Sequence, residues 1–419
     1  MNKNFYMNTL GIKAKTASEN LLKISEKKKN DVLKQFCIYL KKNKKLILDA
    51  NRKDLHQAKK NKSSMRERLK LDELKINQMI NSVRKIIKFS DPVGKNLASW
   101  KRPNGLSIKR ISIPIGVIGV IYESRPNVTS DVASLCFKSG NTVILRGGSE
   151  AFCSNKILSY LFRKALKKNG CDENCIQIVK RRNRENVDYL LSEMQNYIDI
   201  IIPRGGESLV KKVKAKSKIP VIGHLQGVCH VYVDKDANID MAIKIVKNAK
   251  MRNFTICGAA ETLLIDRSCV KTHCEPILKE LTRSGCTILG DKFIQKNFSN
   301  KIKIAKTKDW QTEYLSSIIS VKTVNGVEDA ILHINKYGTS HTDSIITENK
   351  KTAKKFLARV DSSIVLHNAS TQFADGGEFG LGGEIGIATG KFHARGPVGL
   401  DQLTSFKYIV LGDGQTREL

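Results

Sequence analysis

The amino-acid sequence predicts two α/β domains, each built on a parallel β-sheet. A strand late in the chain is expected to be contributed elsewhere. Short apolar runs rich in β-branched residues alternate with amphipathic helical stretches, the pattern of a doubly wound parallel sheet. Two of these runs end in glycine-containing loops, and such sheets bind ligands at the carboxyl ends of their strands. The length of 419 residues also indicates two or three domains, at roughly 150 residues each.

The first half of the chain opens with helices and then alternates. Residues 1–95 are predicted to be helical, because apolar residues recur at spacings of three and four among charged ones. An exposed strand is expected at 106–114 and a buried strand at 117–122. Further strands are predicted at 142–145, 176–179 and 198–202, and helices at 151–168, 184–191 and from Glu207.

The second half repeats this alternation. A strand at 231–233 precedes a helix at 239–250 and a strand at 262–265. A later strand is predicted at 364–366, and residues 404–411 form a final β-rich run. We therefore expect a second parallel sheet in this half of the chain.

The charge and the bulk composition restrict the class of protein. The net charge is +33, but it is spread over lysine-rich helix faces without accompanying arginines or aromatics, which favours solvated surface over a nucleic-acid interface. No apolar run approaches the ~18 residues of a membrane span, and the N-terminus does not resemble a signal peptide. The 10 cysteines are scattered, which favours free thiols in a reducing cytoplasm.

Two loops and one cysteine are candidates for chemistry. The loops follow predicted strands and read Arg146-Gly147-Gly148-Ser149 and Arg204-Gly205-Gly206. Alone they indicate tight turns, although arginine beside glycine at a helix N-terminus suits a phosphate. Cys257 lies in a loop beside a glycine, where a substrate carbonyl could approach it and backbone amides could serve an oxyanion. On composition alone it has no advantage over the other cysteines.

Several blocks together resemble one family. The stretch 324–345 matches a long, polar signature of the γ-glutamyl phosphate reductases, an offshoot of the aldehyde dehydrogenase superfamily. Further blocks agree in order along nearly the whole chain, at 122–129, 145–151, 202–206 and 393–400. The resemblance implies an aldehyde dehydrogenase-like α/β fold with a Rossmann-type cofactor domain, an α/β catalytic domain and a small β-strand flap for oligomerisation.

The resemblance also implies domain limits. The NADP-binding domain is expected at 1–96 and 114–228, and the catalytic domain at 229–403. The oligomerisation strands are expected at 97–113 and 404–419.

Site residues follow from the same resemblance. Cys257 matches the superfamily nucleophile, and Asn127 the asparagine of the oxyanion hole. Arg146 and Ser149 match the loop at the adenosine ribose, where a positive charge favours NADPH, and Glu313 matches the glutamate at the nicotinamide ribose. Gly258 departs from the asparagine expected in this family, which affects local packing rather than the nucleophile.

The direction of the reaction is indicated by a missing carboxylate. Oxidising aldehyde dehydrogenases use a carboxylate base to hydrolyse their thioester, and this chain has His224-Leu225-Gln226-Gly227 in that place. The resemblance thus implies reduction of L-glutamyl 5-phosphate to L-glutamate 5-semialdehyde in proline biosynthesis. A homo-oligomer is expected, with a separate glutamate 5-kinase as the source of substrate.

The remaining candidates are two histidines and two arginines. His333 is expected on a core face of a helix, and His341 in a turn near the substrate. Their spacing matches no zinc motif, so no metal site is predicted. Arg125 and Arg395 could clamp the substrate carboxylate or phosphate, or form ion pairs instead.

Three alternatives remain open at this stage. One is an NAD(P)-dependent dehydrogenase that oxidises another small aldehyde. The second, from a different class, is a basic nucleic-acid-binding protein. The third is a family member that has lost catalysis.

Overall fold

The protein forms two compact units. The structure, a computed structural model, describes residues 3–59, 63–298 and 302–417. The first unit comprises Met1–Gly223, Gly380–Gly386 and Pro397–Leu419, and the second His224–Phe379 and Ile387–Gly396. Parts of the predicted domains at residues 1–2, 60–62, 299–301 and 418–419 lie outside the described residues.

Helices occupy the N-terminal region and then alternate with strands. The α-helices of the described residues are α1 (Lys3–Leu21), α2 (Glu26–Lys42), α3 (Lys44–Gln57), α4 (Ser63–Leu69), α5 (Glu73–Lys88), α6 (Pro126–Lys138), α7 (Phe152–Lys168), α8 (Glu185–Ser192), α9 (Glu207–Lys216), α10 (Ile239–Met251), α11 (Glu275–Arg283), α12 (Lys292–Phe298), α13 (Gly326–Tyr337) and α14 (Lys350–Arg359).

The strands begin after the N-terminal helices. Those of the described residues are β1 (Asn96–Lys101), β2 (Ser107–Pro114), β3 (Val117–Tyr122), β4 (Thr142–Gly147), β5 (Ile176–Ile178), β6 (Ile200–Arg204), β7 (Cys229–Val233), β8 (Ala260–Asp266), β9 (Thr287–Gly290), β10 (Lys303–Ile304), β11 (Ile318–Val324), β12 (Thr342–Ile346), β13 (Ile364–His367), β14 (Ile387–Ala388), β15 (Gly396–Pro397) and β16 (Thr404–Leu411).

The first unit contains the predicted parallel sheet, in the order β5-β4-β3-β6. All six residues of β3 are buried, as expected for a central strand with both faces covered. Tyr122, the last residue of β3, is in register with Gly147 of β4 and Arg204 of β6. Both glycine loops therefore leave the sheet at one carboxyl edge, and the prediction that they follow strands is confirmed.

A separate antiparallel sheet joins distant parts of the first unit. Its order is β1-β2-β16, and β2 pairs with β16 from Thr404↔Pro114 to Leu411↔Ser107. The predicted strands in these two regions are confirmed. Aromatic and aliphatic side chains of β1 and β16, among them Trp100 and Tyr408, are exposed.

The observed units differ from the predicted domain limits in the C-terminal part. Residues 380–386 and 397–403, expected in the second domain, pack with the first unit. Hydrogen bonds accompany this placement. The Asn141 amide donates to the Leu403 carbonyl at 2.8 Å, and the backbone N–H of Ile385 joins the two segments to each other by donating to the carbonyl of Val398 at 2.9 Å. Contacts between residues so far apart in sequence leave no local pattern to predict them.

The second unit is built on a seven-stranded sheet in the order β10-β9-β11-β8-β7-β12-β13, with every pairing parallel. The first strand of this sheet in the chain, β7, lies inside the sheet. Strands β8 to β11 are added on one side of β7, and β12 and β13 are added on the other. Apolar residues of β7, β8 and β11 pack with α10 and α11 to form the core of this unit. No helix in the described ranges is long and apolar enough to cross a membrane.

His333 lies in an aromatic pocket of the second unit, on α13. It is 3% exposed, which confirms its predicted position on a core face. Its ring centroid lies 4.7 Å from that of Tyr337 and 5.5 Å from that of Trp310, and Lys322 Nζ donates to its Nδ1 at 3.1 Å. Burial, together with the charges of His230 and Lys322, lowers the pKa of His333 to about 2.

This environment predicts an acid-sensitive fold. Because the folded pKa of His333 lies below the ~6.5 of an unfolded histidine, its contribution to stability is present above that value and is lost as the pH falls. From about pH 7.5 to about pH 5.5 the free energy of unfolding should fall by about 1.4 kcal/mol through this residue. His333→Gln should lose that part of the pH dependence in urea titrations, whereas His56→Gln, on the exposed side of α3, should keep it. Equal pH dependence in all three proteins would contradict the assignment.

Candidate active site

Three side chains converge at the amino ends of adjacent strands in the second unit. Cys257 lies in the loop between α10 and β8, His224 precedes β7, and His341 immediately precedes β12. The order β8-β7-β12 makes these strands neighbours. The three ligand-type atoms, the cysteine sulfur and one nitrogen of each imidazole, lie within 4.8 Å of one another. The site therefore occupies the edge opposite the carboxyl ends, where open α/β sheets more often bind ligands.

Each imidazole is held from its far side. His224 Nδ1 lies 2.7 Å from the carbonyl oxygen of Ile387, to which it can donate only as the Nδ1–H form. His341 is fully buried, and its Nδ1 lies 2.9 Å from Thr342 Oγ1 and 3.5 Å from Cys229 Sγ. The two rings meet edge to face, with centroids 4.9 Å apart and planes at 80°. These contacts fix both rings against Cys257.

The electrostatics of the site favour a thiolate. Burial alone raises the pKa of Cys257, but its interactions with His341 and His224 outweigh burial and hold that pKa well below its usual range. Cys229 also contacts the ring of His341, but burial and the charges of Asp343 and Cys257 raise the pKa of its thiol. A thiolate is the reactive form of cysteine, so Cys257 is set apart chemically from the cysteine beside it.

Close packing positions the loop that carries Cys257. Cys229 Sγ donates to the Cys257 carbonyl oxygen at 3.1 Å. A Cβ on Gly227 would lie 2.0 Å from that same oxygen, so only glycine fits there. A Cβ on Gly258 would lie 3.2 Å from the Thr371 carbonyl oxygen, which is tighter than ordinary contact. Glycine is therefore accommodated where the resemblance implied asparagine.

Glu313 contacts the segment that packs against this loop. Its Oε1 accepts a hydrogen bond from the backbone N–H of Gly227 at 2.9 Å. Burial raises the pKa of Glu313, the Gly227 hydrogen bond lowers it, and the negative charge of Cys257 raises it further. The carboxylate is thus held by the backbone that packs against Cys257. Its expected contact with a nicotinamide ribose stays a prediction.

The predicted oxyanion residue lies in the first unit. Asn127 is in the first turn of α6, and its side-chain amide donates to Asp131 Oδ2 at 3.2 Å. Arg125 is the N-cap residue of the same helix and is exposed. Their roles toward the oxyanion and the substrate remain predictions.

The first predicted cofactor loop contains a buried arginine. Arg146 is 9% exposed, and its guanidinium donates to the carbonyl of Gly147 and, at 3.1 Å, to that of Arg182. Its Nε is buried and makes no hydrogen bond within the described residues. Gly148 and Ser149 continue this loop, and Ser149 is exposed.

The second predicted cofactor loop is closed by an acidic side chain. The backbone N–H of Gly206, the N-cap of α9, donates to Glu123 Oε2 at 2.9 Å, and Gly205 also packs against that carboxylate. Glu123 thus occupies the anion site that the N-terminus of α9 offers. Any phosphate contact by Arg204 and these glycines stays a prediction.

Arg395 forms an ion pair within the second unit. Its guanidinium donates to Asp361 Oδ1 at 2.9 Å and to the Asp361 carbonyl at 3.2 Å. The sequence left open either a substrate clamp or an ion pair, and the ion pair is present. A substrate contact for this residue stays a prediction.

Three residues near the predicted ones, His224, Cys229 and Asp131, were not predicted from the sequence. The segment containing His224 stands out in the sequence only for its lack of a carboxylate, and nothing there distinguishes Cys229. Their proximity to Cys257 depends on strand pairing between distant segments, which leaves no local signal. Asp131 could have been found, because it lies four residues after Asn127 and hence on the same helix face.

Comparison with known proteins gives the family. The profile of the aldehyde dehydrogenase family matches residues 10–294 and 293–409. The chain belongs to the aldehyde dehydrogenase family. Within this family it is 50% identical over 413 residues to a γ-glutamyl phosphate reductase from Parvibaculum lavamentivorans, covering 98% of this chain and 97% of that protein. It is also 50% identical over 410 residues to one from Bartonella tribocorum, covering 97% of this chain and 100% of that protein.

A solved relative agrees with the fold. The crystal structure of a γ-glutamyl phosphate reductase from Thermotoga maritima superposes with a TM-score of 0.95 at 40% identity, covering 98% of this chain and 100% of that one. The chain is therefore a member of the γ-glutamyl phosphate reductases within the aldehyde dehydrogenase family. The predicted aldehyde dehydrogenase-like fold is confirmed. The nucleic-acid-binding alternative is not favoured.

In this member of the aldehyde dehydrogenase family, the same three side chains could also hold a metal ion. One thiolate and two imidazoles are the ligand types that Zn²⁺ prefers. In the sequence, the spacing of His333 and His341 was the one compared with zinc motifs. In the fold, His341 instead lies beside His224 and Cys257. A bound ion would occupy the sulfur needed for nucleophilic attack.

The electrostatics predict selective alkylation of Cys257. At neutral pH iodoacetamide should modify Cys257 faster than Cys153, the other half-buried cysteine, whose pKa is raised by burial and by Asp54. His341→Gln and His224→Gln should each slow alkylation of Cys257 by about 10- to 100-fold, because each removes a partner of the thiolate. Peptide mass spectrometry follows each cysteine separately, with Cys153 as the internal control. Unchanged Cys257 rates in both variants would refute the role of the histidines.

The packing of Gly227 gives a second prediction. Gly227→Ala should displace the Cys257 carbonyl and lower kcat/KM by more than ~10²-fold, at a cost of about 1–3 kcal/mol of stability. Gly390→Ala is a matched control in the second unit, since a Cβ there meets no atom within 4 Å. Steady-state kinetics and thermal melting of both variants provide the measurement. Activity of Gly227→Ala close to that of Gly390→Ala would show that the loop tolerates the side chain.

Proposed function

We propose that this chain reduces L-glutamyl 5-phosphate to L-glutamate 5-semialdehyde with NADPH and releases phosphate, as the second step of proline biosynthesis from glutamate. The observation that carries the proposal is the convergence of Cys257 with His224 and His341, whose ligand-type atoms lie within 4.8 Å of one another. Full-length relatives at 50% identity are named for this reductase activity, and that supports the choice of substrate.

The first step is transfer of the acyl group to Cys257. The thiolate attacks the acyl carbon, the carbon–sulfur bond forms, and the carbon–oxygen bond to phosphate breaks with its electron pair leaving on phosphate. The product of this step is a thioester on Cys257.

The second step reduces the thioester. NADPH, when bound, supplies the hydride that converts the thioester carbon to a tetrahedral oxyanion. We assign the Asn127 side-chain amide and a backbone amide to this oxyanion. Collapse breaks the carbon–sulfur bond, which releases the aldehyde and restores the thiolate without a net proton transfer.

The surroundings of Cys257 also suit a thioester that must avoid hydrolysis. The segment 224–227 contains no aspartate or glutamate. Oε1 of the nearby Glu313 carboxylate already accepts a hydrogen bond from the Gly227 backbone N–H. A carboxylate oxygen held in this way is a weaker base toward water. The arrangement therefore favours reduction over oxidation of an aldehyde.

The cofactor fits the carboxyl edge of the first unit's sheet. The loops at Arg146–Ser149 and Arg204–Gly206 leave adjacent strands at that edge, where doubly wound sheets bind dinucleotides. The buried Arg146 has an unpaired Nε, and its partner Arg182 is exposed. These charges would suit the additional phosphate of NADPH over NADH.

We further propose that the protein is cytoplasmic and forms a homo-oligomer through the β1-β2-β16 sheet. The exposed apolar side chains of β1 and β16, including Trp100, Phe406 and Tyr408, support a contact between copies. The substrate is a labile acyl phosphate, so a separate glutamate 5-kinase must supply it.

The reaction run backwards tests the function. Purified protein is given L-glutamate 5-semialdehyde, phosphate and NADP⁺ or NAD⁺, and nicotinamide absorbance is followed. We expect phosphate-dependent turnover with preference for NADP⁺. Cys257→Ala should lower kcat by more than ~10³-fold, while Cys153→Ala should retain it. Absence of turnover in the parent protein would refute the substrate, and full activity of Cys257→Ala would refute the mechanism.

A further inference from the structure

A cavity of the first unit contains the proposed oxyanion residue. It has a volume of about 320 Å³ and lies between α4, α5 and α6. Its polar lining includes Arg68, Lys70, Lys75, Ser82, Asn127 and Asp131. The volume is within the usual range of small-molecule sites. The lining is unusual in combining one acid with several cations around Asn127.

The acid is an incompletely satisfied carboxylate. Asp131 Oδ2 accepts the Asn127 amide at 3.2 Å, but Oδ1 is shielded from solvent and has no hydrogen-bond partner within the described part of the chain. Burial raises the pKa of Asp131 to about 6, although the hydrogen bond from Asn127 and the charge of Arg204 lower it. A buried carboxylate oxygen without a partner is costly unless a ligand satisfies it.

The cations lie on the neighbouring helices and the turn between them. Lys75, half-buried on α5, donates from Nζ to the Lys70 carbonyl at 2.7 Å and to the Glu67 carbonyl at 3.3 Å. An ammonium group has three hydrogens, so a third donor remains for an anion. Arg68 and Lys70 are exposed and add positive charge to the same cavity.

We propose that this cavity binds the amino-acid head of the substrate, with Asp131 pairing with its α-ammonium group and Lys75 with its α-carboxylate. The inference rests on the proposed function. It deepens that function by assigning the groups that distinguish an amino-acid substrate from a simple acyl phosphate.

The dimensions of the substrate are compatible with this assignment. The Asn127 amide nitrogen lies 3.2 Å from Asp131 Oδ2, and both side chains line the cavity. The acyl carbon and the α-nitrogen of an extended glutamyl group are about 5 Å apart, from ordinary bond lengths. A substrate whose carbonyl oxygen accepts from the Asn127 amide can therefore reach the Asp131 carboxylate with its ammonium group.

Asp131 could instead act only as a positioning residue that orients the Asn127 amide. The two roles differ in what they change. Loss of positioning lowers the rate for every aldehyde, because each one needs the oxyanion donor. Loss of ammonium recognition weakens only substrates that carry the amino group.

The experiment compares two aldehydes in the reverse reaction with phosphate and NADP⁺. L-glutamate 5-semialdehyde carries both head groups, and 5-oxopentanoate keeps the carboxylate but lacks the amine. We expect Asp131→Asn to raise the KM for the semialdehyde by about 10- to 100-fold, as for a lost charged hydrogen bond, with kcat largely kept. Kinetics with 5-oxopentanoate should change little, which also reports that the variant is folded. Ring closure of the semialdehyde affects all variants alike and cancels in the ratio.

Lys75→Met tests the other contact. It should raise the KM for both aldehydes by a similar factor, because both carry the carboxylate, while Lys85→Met on the exposed part of the same helix should not. An equal loss of kcat with both aldehydes in Asp131→Asn would overturn the proposal in favour of positioning, and unchanged kinetics would overturn it outright. If the parent protein did not turn over the semialdehyde at all, the proposed function itself would fail instead.

Discussion

The contact on which the site depends is the one between the Cys257 sulfur and two imidazoles. Burial of a thiol opposes its ionisation, so a thiolate at this position requires partners that outweigh the loss of water. His341 and His224 supply them, and the pKa of Cys257 falls well below its usual range. The three residues come from separate segments and meet only because β8, β7 and β12 are hydrogen-bonded neighbours. The parallel sheet of the second unit is therefore a requirement of the chemistry as well as of the core.

The residues at the starts of the same strands also hold Cys257 in place. Gly227 lies so close to the Cys257 carbonyl that a side chain on Gly227 would displace that carbonyl. The backbone N–H of Gly227 donates to Glu313. Cys229 donates to that carbonyl and contacts the ring of His341. These contacts leave little freedom to the loop, which suits a residue that must meet an acyl carbon within a narrow range of positions. A glycine beside the nucleophile is compatible with this packing, since the space at Gly258 is also restricted.

Much of the fold was predictable because its signals are local. The buried strand at 117–122, the helix at 239–250 and the final strand at 404–411 are all present, from runs of apolar residues whose periodicity does not depend on distant parts of the chain. The choice of Cys257 as the candidate nucleophile required the family resemblance, since nothing local separates it from the other cysteines. His224 and the placement of residues 380–386 were not predictable, because strand pairing and long-range hydrogen bonds decide them. Those interactions are invisible to a pattern read along one segment.

Histidines and a carboxylate impose opposite demands on a thioester enzyme. A free carboxylate beside the sulfur would raise the pKa of the thiol and would offer a base for the hydrolysis of a thioester. The imidazoles of His341 and His224 instead lower the pKa of the Cys257 thiol. Glu313, a carboxylate that approaches this site, already accepts a hydrogen bond from the Gly227 backbone. The residues around Cys257 are therefore better suited to keeping a thiolate than to activating water.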